Sequence, residues 1–110
     1  MNKDDSVYID HILGCIKKIY VYTSGIDFDA FNKNELLQDA VIRNIEIIGE
    51  ASKKISTKLK QVNNEIPWKE IAGMRDKLIH DYMGVDTGVV WKTVNEDIPY
   101  LEMMISKIEI

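Results

Sequence analysis

Leu37, Val41, Ile45, Ile48, Ser52, Ile55 and Leu59 recur every three or four residues, a spacing that aligns them along one side of a long α-helix and on no single face of a strand. That nearly unbroken stripe sets the architecture, because a helix with a continuous inner seam needs other helices to cover it. The helix is predicted to begin near Asn32, which has Glu35 three residues on in a capping-box arrangement, and to run to about Leu59. Its opposite face carries Asp39, Arg43, Glu46, Glu50 and Lys54, spaced so that opposite charges adjoin. Such pairs contribute about 0.2–0.5 kcal/mol each and chiefly aid helicity and solubility. A second reading has Glu46 or Glu50 reaching across to Arg75. Gly49, in mid-helix, costs about 1 kcal/mol relative to alanine, so it marks the close approach of another backbone at a helix crossing or a dimer seam.

The remaining periodicities are also helical, and two prolines and six glycines leave little punctuation, so the class is all-α with no expected strand. A first helix is predicted over 5–23, with Ile9, Ile12, Ile16, Ile19 and Tyr20 inward, Lys17 and Lys18 outward, and Gly25 as its stop. The connector 24–33 has room for one helical turn at 27–31, whose Phe28 and Phe31 cap the bundle end. Asn63 and Asn64 form a turn, Pro67 suits the first position of a new helix, and Trp68 packs inward. Gly73 interrupts that helix and leaves 74–82 as a short helix stopped by Gly84. Asp86 caps the last helix, with Val90, Val94, Ile98, Leu101, Ile105 and Ile108 inward and a kink or split expected from Pro99 near Asp97. The sum is an antiparallel bundle of four to five helices, and the length suits one domain over 1–110.

Charge narrows the function. A net charge of −4 argues against coating nucleic acid by bulk electrostatics but leaves room for a local phosphate site. The lysines at 17, 18, 53, 54, 58 and 60 lie opposite apolar stripes and read as solvated faces. Cys15 alone excludes an internal disulfide framework and a cysteine zinc cluster. With no cationic segment leading into an apolar run, and no stretch long enough to span a membrane, a cytoplasmic protein is expected.

The run RDKLIHDY concentrates the chemistry. On a helix, Ile71, Arg75, Leu78, Ile79 and Tyr82 share one face while Asp76 and His80 form a second stripe. An arginine among apolar side chains costs several kcal/mol to bury unless an anion meets it, so either a buried ion pair or an anionic ligand is expected. Arg75 can grip a phosphate with a bidentate guanidinium fork, and His80, with a reference pKa of about 6.5, can exchange protons near neutrality. Asp76, four residues before His80, is placed to orient the imidazole. A regular helix, however, separates Arg75 and His80 by roughly 140° and 7.5 Å. Either the helix is distorted or a second copy of the chain completes the site across a two-fold axis. His11 has no chemical companion nearby in sequence and reads as a surface or boundary residue.

Arg75, His80 and Tyr82 together resemble the RxxxxHxY motif of the HepT-like toxins of the HEPN superfamily, and the likeness extends over nearly the whole chain. It includes QDAVIRNIEIIGEASKKI (residues 38–55), Pro67 with Trp68, IAGMRDKLIHDYMGVD (residues 71–86), Val90 with Trp91, and the late Pro99. The resemblance implies a HEPN-like bundle that pairs as a two-fold dimer with both motifs lining one cleft. It implies a metal-independent endoribonuclease, without cofactor, acting as the toxin of a toxin-antitoxin module. Arg75 would hold the scissile phosphate, His80 would act as general acid or base, and a 2′,3′-cyclic phosphate is the expected product. Asp76 is the supporting residue on spacing alone. Tyr82 matches the position to which a partner nucleotidyltransferase antitoxin attaches AMP, an anion that would occupy the phosphate site. The alternative is a non-catalytic helical module that binds the nucleotidyltransferase or a nucleotide.

Overall fold

The computed structural model describes residues 3–80 and 84–109, with Lys3 and His80 described by their backbone alone. Helix α1 (Lys3–Thr23) buries Ile9, Ile12, Ile16 and Ile19 against α3 (Glu35–Lys54), and these two long helices form the frame of the bundle. Between them, Asp27 caps the single turn α2 (Phe28–Asn32), its carboxylate accepting from the Ala30 amide at 2.9 Å. Phe31 is completely buried with its ring centroid 5.1 Å from that of Trp91, while Phe28 stays at the rim, so one of the two phenylalanines closes the bundle end.

Helix α3, the spine of the bundle, departs from expectation at both ends. Asn34, not Asn32, caps α3, its side-chain oxygen accepting from the Leu37 amide at 3.0 Å. Asn32 instead accepts from the Thr87 hydroxyl. At the other end the helix stops at Lys54; Ile55 is extended, and Ser56 caps a separate helix α4 (Thr57–Val62). The break is held by Asp5 of α1, only 3% exposed, which accepts from the Ser56 amide at 2.8 Å and from its hydroxyl at 2.6 Å. The apolar stripe conceals this break because Ile55, within it, and Leu59, beyond it, are both buried.

Helix α5 (Trp68–Ala72) follows directly after Pro67, and the indole Nε1 of Trp68 donates to the Asn63 carbonyl at 3.1 Å. Of the α-helix expected over 74–82, the described part, 74–80, does not form. Met74–Lys77 make a 3-10 turn, and the chain then enters strand β1 (Ile79–His80), paired antiparallel with β2 (Gly84–Val85) in the register Ile79 to Val85 and His80 to Gly84. The backbone partners account for the difference: the Leu78 carbonyl accepts from the Asp86 amide at 2.8 Å and Ile79 pairs with Val85, bonds to a returning segment that a continuing helix would not make, while Met74 and Leu78 stay in the core. Gly84, at φ 77°, supplies a backbone conformation open to glycine at the ribbon's return rather than a helix stop.

The last arm begins as expected, with the Asp86 carboxylate accepting from Val89 at the start of α6 (Thr87–Lys92). Thr93–Asp97 form a π-turn that runs into α7 (Ile98–Ser106). Pro99 cannot donate to the carbonyl four residues back, and the wider π-turn before it absorbs the mismatch. Val90, Val94, Ile98, Leu101, Ile105 and Ile108 all face the core. The architecture is therefore all-α, with one minimal two-stranded ribbon inserted at the motif. Among the described residues no helix is long and apolar enough to cross a membrane.

Candidate active site

Helix α3 carries Arg43, Glu46 and Gly49 at three-residue intervals along one face. Gly49 is where α5 crosses closest: a Cβ built there would lie 3.1 Å from the Ala72 carbonyl oxygen and 3.4 Å from that of Ile71. The close approach inferred for Gly49 is thus a helix crossing within the chain. It brings the end of α5, and with it the 3-10 turn bearing Arg75, onto the spine.

One helical turn back from Gly49, Glu46 Oε2 sits 2.7 Å from Arg75 Nε. Glu46 Oε1 meets Arg43 Nη1, so one carboxylate joins two guanidinium groups. Exposure decides how this should be valued. The side chains of Arg75 and Glu46 are 44% and 31% exposed, and that of Arg43 is 66% exposed. Arg75 therefore does not sit buried on an apolar face as the helical projection suggested, because the chain leaves the α-helix before that face is completed. A half-exposed pair of this kind contributes about 0–1 kcal/mol to stability, so its consequence is geometric. Of the two partners considered from sequence for Arg75, Glu46 makes the contact. Among the described residues the terminal amino groups of Arg75 make no hydrogen bond.

Asp76 lies exposed on the same turn. Its proposed hold on His80 rested on helical spacing, and that spacing is absent because the 3-10 turn ends at Lys77. His80 is placed by its backbone in β1, facing Gly84 across the ribbon, and Tyr82 lies outside the described residues. His11 is exposed with its ring edge-on to Tyr8 at 6.4 Å, a surface residue as its sequence context suggested. Cys15 is buried, and burial pushes its thiol pKa up against the smaller lowering effects of Lys18 and Arg43. Among the described residues no three His, Cys, Asp or Glu side chains converge on a point where a metal could sit.

A helical protein that presents a half-exposed arginine from a fixed turn, next to a histidine-bearing ribbon, has the elements of a phosphate-handling site. The family model described as ribonuclease HepT-like matches residues 12–108, and the chain belongs to that family. It is 48% identical over 108 residues to the "probable ribonuclease HepT" of Thermococcus cleftensis, covering 98% of each chain. It is 50% identical over 108 residues to a "gamma-glutamylcyclotransferase and putative RNase" of Methanocaldococcus jannaschii, covering 98% of this chain and 49% of that protein, so it spans about half of that relative's length. A "putative RNase" of Caldanaerobacter subterraneus subsp. tengcongensis is 43% identical over 101 residues, covering 92% of this chain and 90% of its own. No solved structure matches the chain.

Proposed function

We propose that this chain is the toxin of a toxin-antitoxin module, a cytoplasmic, metal-independent RNA endonuclease that works as a two-fold dimer and is neutralised when a nucleotidyltransferase antitoxin attaches AMP to Tyr82. The observation that carries the reading is the state of Arg75: in a chain of the ribonuclease HepT-like family, this motif arginine is fixed at Nε yet 44% exposed, with amino groups able to accept an anion. Arg75 binds the non-bridging oxygens of the scissile phosphate and stabilises the charge that grows on them. With one copy of the motif from each protomer in the cleft, one His80 takes the proton from the RNA 2′-hydroxyl. The 2′-oxygen forms a bond to phosphorus, the bond from phosphorus to the 5′-oxygen breaks, and the other His80 returns a proton to that leaving oxygen. The products are a 2′,3′-cyclic phosphate and a 5′-hydroxyl. AMP on Tyr82 would deliver a phosphate to the same guanidinium and block RNA.

The ion pair of Arg75 with Glu46 favours a second reading, in which the arginine is structural and the chain is a non-catalytic module that binds the nucleotidyltransferase or a nucleotide. Cleavage of a fluorescent RNA in EDTA separates the two. The nuclease reading requires that wild type cuts and that Arg75→Ala and His80→Ala, shown to be folded by circular dichroism, do not. Equal cleavage by all three proteins rejects it.

A further inference from the structure

The bridging carboxylate of Glu46 is accounted for by neither the motif nor the fold. It lies on the twenty-residue helix α3, one turn before the crossing with α5, whereas Arg75 projects from a four-residue 3-10 turn, an element with little stiffness of its own. Both carboxylate oxygens are occupied, Oε1 by Arg43 and Oε2 by Arg75. Arg43 thereby fixes Glu46 from one side, and Glu46 fixes Arg75 from the other. The closest contact on Arg75 is through Nε, at the stem of the guanidinium, so the end of the group that grips phosphates bidentately is not consumed. Gly49, one turn along the same face, holds the backbone of the preceding helix against α3. The spine thus fixes the arginine twice, by backbone through Gly49 and by side chain through Glu46.

We propose that Glu46 is a positioning residue for Arg75, anchored by Arg43, and that it aims the guanidinium at the scissile phosphate. The inference rests on the nuclease reading above and adds to it a carboxylate that raises turnover without touching RNA. The opposite role is also physically coherent: a carboxylate beside Arg75 competes with phosphate and weakens RNA binding. The two roles predict opposite kinetics. Removing a competitor lowers KM and leaves kcat unchanged or raised, because a negative charge no longer faces the RNA. Removing a positioning residue lowers kcat, because the fork is misaligned when charge develops on the phosphate, even though the lost negative charge favours binding.

The experiment is steady-state cleavage of a short fluorescent RNA in EDTA by wild type, E46Q, E46D, R43A and R75A. Glutamine keeps the size of Glu46 but offers one acceptor oxygen and an amino group, so it holds one arginine and repels the other. E46Q is expected to lose 10-fold or more in kcat, with KM unchanged or lower and thermal stability within a few degrees of wild type. E46D, which keeps both acceptors on a shorter stem, should recover part of kcat, and R43A should show a smaller loss of the same kind. Wild-type kcat in E46Q beside an inactive R75A overturns the positioning role alone, as does a lowered KM with kcat retained. Wild-type cleavage by R75A overturns the nuclease assignment of the arginine and this inference with it.

Discussion

Gly49→Ala tests the crossing that seats the motif turn. Taken as a helix residue alone, alanine at position 49 should stabilise the protein by about 1 kcal/mol. The structure predicts the opposite sign. The new methyl would lie 3.1 Å from the Ala72 carbonyl oxygen, 3.4 Å from that of Ile71 and 3.6 Å from the Ala72 carbonyl carbon, all of them backbone atoms that cannot rotate away. To reach ordinary contact distance, α5 must retreat by a few tenths of an ångström, and overpacking of this kind costs about 1–3 kcal/mol. Set against the propensity gain, the net result is a loss of about 1 kcal/mol, a fall of roughly 4 °C in Tm for a domain of this size. The effect on cleavage should be larger than the effect on stability, since the displaced carbonyls lie three and four residues before Arg75. Thermal unfolding by circular dichroism, paired with RNA cleavage well below Tm, reads both. A Tm that rises by several degrees with cleavage intact would refute the crossing as the feature that positions Arg75.

Two further outcomes follow from the packing. Ser56→Ala removes the cap of α4 and one of the donors to the buried Asp5 carboxylate, so it should cost about 1–3 kcal/mol and lower Tm by several degrees; a change within one degree in thermal unfolding contradicts the account of the α3 to α4 break. Burial raises the Cys15 pKa above its ordinary value of about 8.5, so the folded chain keeps a proton that the unfolded chain releases. That contribution to stability is present below the unfolded thiol's pKa and is lost as pH rises through the raised, folded value. Urea unfolding from pH 7 to 10 should therefore show a steeper loss in wild type than in Cys15→Ala, and identical slopes would contradict the burial of the thiol. Tyr20, also pushed up by burial and by Glu102, titrates in both proteins and cancels in that comparison.

The parts of the fold legible in the sequence were those written in periodicity. The seams of α1 and α3, the single turn at Asp27, the Asp86 cap and the disturbance before Pro99 all follow from local pattern, and each is found. The misreadings came where a distant residue or the core decided the outcome. The apolar stripe passes unbroken through Ile55, and the break there depends on Asp5, fifty-one residues from Ser56. Residues 74–82 have helical spacing, yet over the described part, 74–80, pairing of Leu78 and Ile79 with Asp86 and Val85 overrides it. Around the motif, the pairing of Arg75 with Glu46 was readable as one of two alternatives. The link from Arg43 through Glu46 to Arg75 was hidden, because an i, i+3 pair on a charged face resembles any surface ladder until the third member is seen in space.

The chemistry at the ends of cut RNA tests the central claim most directly. A defined oligoribonucleotide is incubated with the protein in EDTA, and the fragments are weighed by mass spectrometry. Attack by the neighbouring 2′-hydroxyl, assisted by Arg75 and His80, predicts fragments ending in 2′,3′-cyclic phosphate and beginning with 5′-hydroxyl, both lost in His80→Ala. Fragments ending in 3′-hydroxyl and beginning with 5′-phosphate, or intact RNA after incubation with an excess of wild-type protein, would contradict it.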